Sequence, residues 1–245
     1  IIIKIKIIIL DDTLYKAYIP AYNEEKLIKS VIIDVSKYCS KIVVINDGST
    51  DDTLNIISKV KEKMGEQLII INNEKNMGIG YSMKVGFEKA IKFDNEILLK
   101  IDGDGQHLAD DIPKFVKKIV DENFDYVKGN RFLIKEEIKN MPLNKLIGNL
   151  IITTLQKIIS GNYNISDPNN GFIAFKKNIL QFVEIKSLKD NYFFENSLLI
   201  NATAYKLRIG EVGIKTIDNE EKSSIPLFTA SIKLFPTFIA FLFVK

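Results

Sequence analysis

Short apolar runs alternate with longer amphipathic stretches through the first half of the chain, and the two periods predict different elements. Residues 14–19, 41–46, 67–72, 96–101 and 125–128 are short runs, mostly apolar and with Ile, Val or Tyr in each, that read as strands. Between them, residues 24–38 carry Leu27, Val31, Ile32 and Val35 at helical spacing. Residues 51–64 follow the capping candidates Ser49 and Thr50, residues 79–92 follow Gly78, and residues 110–122 complete the helical series. This alternation predicts an α/β fold with a mostly parallel central sheet flanked by helices, because parallel strands need crossover connections. The second half changes character: a helix over 143–160, a polar loop over 162–171, a short strand over 172–175, a helix over 192–205 and a strand over 208–214. No linker or internal repeat separates the halves, so residues 1–225 are expected to form one domain.

In such sheets ligands bind at the carboxyl ends of the strands. Polar or glycine-rich loops follow four consecutive strands here, at residues 20–24, 47–49, 72–80 and 102–107. The ends of the chain differ from this pattern. Residues 1–10, IIIKIKIIIL, fall short of the roughly 20 residues needed to cross a bilayer and read as a strand or the remnant of something longer. No secretory signal pattern is present. The apolar segment 226–245 is either a terminal helix packed on the domain, a membrane-surface contact or the start of a truncated transmembrane helix.

Composition narrows the chemistry. A 46% hydrophobic content with 27% charged residues excludes disorder, and a net charge of +3 is too small to argue for a nucleic-acid partner. Cys39 and His107 are the single cysteine and histidine, which excludes internal disulfides, CxxC redox pairs and cysteine- or histidine-rich metal sites. A catalytic metal would therefore need oxygen ligands, which points to Mg²⁺ or Mn²⁺. One thiol fits a cytoplasmic compartment.

Asp102 and Asp104 flank Gly103 directly after an apolar strand. Two carboxylates in one loop repel unless a cation joins them, so the pair is either a divalent-ion site or a solvated strand-to-helix turn. Gln106 and His107 could add a ligand or a hydrogen bond. An EF-hand is excluded, since His107 takes the required glycine position and Pro113 that of the bidentate Glu. The stretch NEKNMGIGYSMKVG is not a dinucleotide fingerprint, because Met83 stands where the third small residue belongs. Its glycines suit either a helix start pressed against a ligand or the sheet, or plain capping. Asp47 could accept from a nucleobase N–H or serve an Asx turn.

Taken in order, IPAYNEE, IVVINDGSTDDT, NMGIGYSMKVGFEKA, LLKIDGDGQH and GNRF resemble family 2 glycosyltransferases of the GT-A fold, in particular dolichyl- or polyprenyl-phosphate mannosyl- and glucosyltransferases. The later SDPNNGFIAF and NYFFENSLLINA look like acceptor-side segments of those enzymes. The resemblance implies a Rossmann-like nucleotide-sugar half over about 14–131 and an acceptor half over about 132–225. It places Pro20, Tyr22, Glu24, Ile45, Asp47, Gly78, Asp102, Gly103 and Arg131 at the nucleotide-sugar, with Asp102, Asp104 and Gln106 as metal ligands. Asp104, Arg131 and Glu195 are implied as catalytic, and Asp167, Asn170 and Gly171 lie near the donor sugar.

The implied reaction is inverting transfer from a UDP- or GDP-sugar to a polyprenyl phosphate, with Mg²⁺ or Mn²⁺ neutralising the leaving diphosphate. Hydroxyl-acceptor relatives carry Glu-Asp followed by an aromatic where this chain has YFFEN at 192–196, which favours the lipid phosphate. Transfer to a saccharide hydroxyl and a non-catalytic nucleotide-sugar-binding module are the alternatives. A lipid-linked acceptor implies the cytoplasmic side of a membrane, reached peripherally or through the C-terminal segment.

Overall fold

The computed structural model describes residues 15–161 and 164–217, so the apolar runs at 1–10 and 226–245 lie outside the described residues. The first half follows the expected alternation: β1 (Tyr15–Ala21), α1 (Ile28–Ser36), β2 (Ile42–Asn46), α2 (Thr53–Met64), β3 (Leu68–Asn72), α3 (Ile79–Ala90), β4 (Ile97–Lys100), α4 (Ile112–Val120) and β5 (Tyr126–Asn130). Then come α5 (Lys135–Asn140), α6 (Leu143–Ser160), β6 (Ile173–Lys176), α7 (Ile179–Phe182), α8 (Phe194–Ala204) and β7 (Ile209–Gly213). The short helices α5 and α7 carry too few turns to leave a periodic signal in the sequence.

The strands form one seven-stranded sheet in the order β3-β2-β1-β4-β6-β5-β7. Both faces are covered, which is why the strands are continuous apolar runs. With a side-chain period of 2, Ile42 and Val44 enter the core beneath α1 and α4, while Val43 and Ile45 enter the one beneath α3 and α8. β1, β2, β3 and β4 are parallel neighbours, and β7 runs parallel to β5. β6 is antiparallel to both β4 and β5. The loop before it lies at the edge where its neighbours end, and a strand that starts there must run against them.

The chain leaves β1 toward β2 and β3, then returns to place β4 on the other side of β1. That reversal opens a crevice at the carboxyl ends of β1 and β4. The loop after β4 seals against β1 there, with Gly103 N–H donating to the Pro20 carbonyl at 3.2 Å.

Candidate active site

The loop after β4 is shaped by its glycines. A Cβ on Gly103 would stand 3.0 Å from the Pro20 oxygen and 3.2 Å from Ile28 Cδ1, so only glycine lets the loop lie this close to β1. Gly105 turns the chain with φ +69°. Asp104 Oδ1 accepts from the Gln106 N–H at 3.0 Å, and Ile217 N–H donates to the Gln106 carbonyl at 3.0 Å. Asp104 and Gln106 are both partly exposed on the rim. His107 packs on the Phe172 ring and bridges to Thr216. Burial pushes the His107 pKa down to about 4, so the imidazole is neutral at ordinary pH.

Beneath the rim lies a layer of buried charges. Lys100, the last residue of β4, is fully buried and reaches Asp102 Oδ1 at 2.6 Å and Glu195 Oε1 at 2.6 Å. Burial opposes its charge, but the two carboxylates outweigh that and hold its pKa above the ordinary lysine value. Burial would likewise raise the Asp102 pKa, yet Lys100 above all holds it below the usual carboxylate range. Lys128 on β5 is also fully buried and donates to the Asn170 carbonyl at 2.5 Å. Desolvation lowers its pKa to about 8.

Arg131 follows β5 and grips the fully buried Asp167 with two parallel bonds, Nε to Oδ2 at 2.8 Å and Nη2 to Oδ1 at 2.9 Å. Glu211 on β7 accepts from the backbone N–H groups of Ser166 and Asp167 at 2.7 and 3.2 Å, fixing the loop that supplies Asp167. Asn170 caps the same loop, its Oδ1 accepting from Phe172 N–H at 2.9 Å. Gly171 presses on Asp102, since a Cβ there would sit 2.0 Å from Asp102 Oδ2.

On the other side of the crevice, Pro20 is buried one residue before the end of β1, Tyr22 is 41% exposed and Glu24 is half-buried, its N–H donating to Thr53 Oγ1 at 2.8 Å. Ile45 is fully buried under α3 and faces the core. The Asp47 carboxylate accepts from Met77 N–H at 3.0 Å, Gly78 N–H at 2.8 Å and Asn73 Nδ2 at 2.8 Å, so it organises the approach to α3. Gly78, at φ +93°, and Gly80 lie against the backbone of Lys189 and Asp190. The glycines at this helix start therefore serve close packing between two chain segments.

The structure thus brings Asp102, Asp104, Gln106, Arg131 and Glu195 to one end of the sheet, beside Pro20, Tyr22, Glu24, Gly78 and Gly103. Sequence reading missed Lys100, Lys128 and Glu211. Period-2 alternation carried the signal for the lysines, since Lys100 shares a face with Leu98 and Lys128 with Tyr126, both core residues. Among the described residues no group of three or more His, Cys, Asp or Glu side chains converges as a metal cage. The oxygen donors of Asp104, Gln106 and Asp102 instead fit a hard cation that takes one or two carboxylates and completes its shell with phosphate oxygens and water.

A mostly parallel sheet with an acidic loop after the fourth strand at its switch point and an inserted antiparallel strand is the arrangement of the GT-A fold. The chain belongs to glycosyl transferase family 2, whose sequence profile matches residues 17–183. A UDP-N-acetylglucosamine--dolichyl-phosphate N-acetylglucosaminyltransferase of Methanococcus voltae is 35% identical over 221 residues, covering 85% of this chain and 88% of its own length. A dolichyl-phosphate beta-glucosyltransferase of Trichomonas vaginalis is 25% identical over 233 residues, covering 88% of this chain and 69% of its own. Among solved structures, glucosyl-3-phosphoglycerate synthase from Mycobacterium tuberculosis, crystallised with Mn²⁺ and UDP-glucose, has a TM-score of 0.70 at 18% identity, over 98% of this chain and 83% of its own. At that identity the likeness speaks for the fold.

Proposed function

We propose that this chain transfers a sugar from a UDP-sugar to a polyprenyl phosphate of the dolichyl type, with inversion at the anomeric carbon. The Methanococcus relative supports the donor and acceptor classes. The observation that carries the acceptor is the state of Glu195: the carboxylate nearest the role of general base is buried and held by Lys100 at 2.6 Å. A sugar hydroxyl would need a base to take its proton, whereas a lipid phosphate is already anionic at neutral pH. The phosphate oxygen forms a bond to the anomeric carbon as the bond to the diphosphate breaks, the electron pair leaves with the diphosphate, and no proton moves.

In this reading Pro20, Tyr22, Glu24 and Gly103 line the nucleotide side, and Ile45, Asp47 and Gly78 support it from beneath. Arg131, fixed by Asp167 through Nε and Nη2, turns its remaining guanidinium N–H donors to phosphate. Asp104 and Gln106, with Asp102 behind them, would hold Mg²⁺ or Mn²⁺, which when bound neutralises charge on the leaving diphosphate. Glu195 is a positioning group for the acceptor side, and residues 132–217 supply that half of a single domain.

A lipid-linked acceptor also calls for a membrane-facing surface. No helix among the described residues is long and apolar enough to cross a membrane. Helix α6 instead leaves Leu143, Ile147, Leu150, Ile151 and Ile158 exposed, while Ile152 on its other side packs with Phe193 beside α8. This face supports peripheral contact with a bilayer, on the cytoplasmic side in our reading.

The test incubates radiolabelled UDP-N-acetylglucosamine with the protein, dolichyl phosphate and Mg²⁺ or Mn²⁺, and follows label into the organic phase. Label in an extractable lipid is expected, and Asp104→Asn should lower the rate about a hundredfold or more, the scale of losing one transition-state charge stabiliser. Label only in a water-soluble saccharide would overturn the acceptor assignment, and full activity in Asp104→Asn would overturn the metal assignment.

A further inference from the structure

Lys100 joins two carboxylates from different parts of the chain. Asp102 belongs to the loop that carries Asp104 and Gln106, and Glu195 lies in the first turn of α8. The ammonium between them is fully buried. Without it, the buried Glu195 and the largely covered Asp102 would be left as neighbouring carboxylates with no cation between them, which favours protonation or separation. Asp102 has little room to retreat, because Gly171 lies against its Oδ2 closely enough that a Cβ would come within 2.0 Å. On the other side, α8 is clamped by core contacts of Phe194, Leu198 and Leu199. The adjustable element is the rest of the loop, residues 103–107, tied to β1 through Gly103 and to Ile217 through Gln106.

We infer that Lys100 is a positioning residue that couples the 102–107 loop to helix α8, so that the placement of the donor-side carboxylates depends on the charge at Glu195. Calling the two sides donor and acceptor rests on the function proposed above; the coupling rests on Lys100 and its two carboxylate contacts alone. A polyprenyl phosphate arriving at α8 would then be felt at the nucleotide loop through one ammonium, and donor and acceptor affinities would be linked reciprocally.

Amide hydrogen exchange on the full chain, without ligand, decides the point. Glu195→Gln is expected to raise exchange of the 103–107 amides at least about threefold, as for directly coupled neighbours, with the amides of β2 and β3 unchanged. Lys100→Met should do the same or more, the double variant no more than Lys100→Met alone, and Lys100→Arg should stay close to wild type. Calorimetric binding of UDP with Mn²⁺ should weaken in Glu195→Gln by a comparable factor and recover in neither Lys100→Met background. If Lys100→Met does not fold, the comparison of wild type, Glu195→Gln and Lys100→Arg stands by itself. Unchanged loop exchange in Glu195→Gln, a rise spread evenly over the sheet, or effects that multiply in the double variant would each overturn the coupling. Coupled exchange in a protein that makes no glycolipid would overturn the proposed reaction and leave the coupling intact.

Discussion

Lys128 is a lysine placed where water cannot reach it, and the fold tolerates it by a backbone acceptor and by carboxylates at longer range. Its pKa falls from 10.5 to about 8, burial being the largest cause. Below about pH 8 the side chain is protonated in both folded and unfolded chains; between about 8 and 10.5 the unfolded chain keeps the proton that the folded one has released. The unfolded state then binds more protons, so this group's contribution to stability rises with pH across that window. Denaturant titrations of wild type and Lys128→Met should therefore diverge in favour of wild type as pH increases from about 8 to about 10.5. A difference between the two that stays flat would count against the buried, depressed lysine. Lys100, equally buried, has the opposite shift because two carboxylates touch it, which shows that contact rather than depth sets the sign.

Helix α3 illustrates how an element is held by something its own sequence does not name. Its first turn lies under Lys189 and Asp190: Tyr81 N–H donates to the Asp190 carbonyl at 3.2 Å, and Lys84 Nζ reaches the Leu188 carbonyl at 3.2 Å. A Cβ at Gly80 would stand 2.0 Å from the Lys189 carbonyl oxygen. Alanine improves helix propensity by about 1 kcal/mol, yet forcing backbone apart in a packed contact costs about 1–3 kcal/mol, so the clash wins. Gly80→Ala should lower the urea midpoint of unfolding, whereas a higher midpoint would mean that the 189–190 segment yields freely. The glycine pattern was legible at the start of this helix; what pressed on it was not, because the partner lies more than a hundred residues downstream.

At the scale of the molecule, two surfaces differ in character. The carboxyl edge of the sheet carries the charged site, and the outer side of α6 carries an apolar row, with Leu150 64% exposed. If that row meets a bilayer, Ile147→Glu combined with Leu150→Glu should reduce sedimentation with phosphatidylserine vesicles by about tenfold or more, the scale of two buried aliphatic side chains. The thermal midpoint should barely move, since exposed substitutions seldom shift stability by more than about 0.5 kcal/mol. Vesicle binding unchanged by both charges would assign membrane contact to another part of the chain.

Much of this architecture was readable before any coordinates. The β-strands, the longer helices and the loops at 102–107 and 47–49 follow from alternation, capping and glycine placement, all of which act over a few residues. Tertiary structure alone decided that β6 enters antiparallel between β4 and β5, that Arg131 is held by Asp167, and that Lys100 meets Glu195. Local patterns specify which face of an element is apolar, but they do not say what balances a charge inside an apolar strand such as Lys100, because the partner comes from a distant element. Which partner arrives depends on strand order and register, and those are set by the packing of the whole sheet.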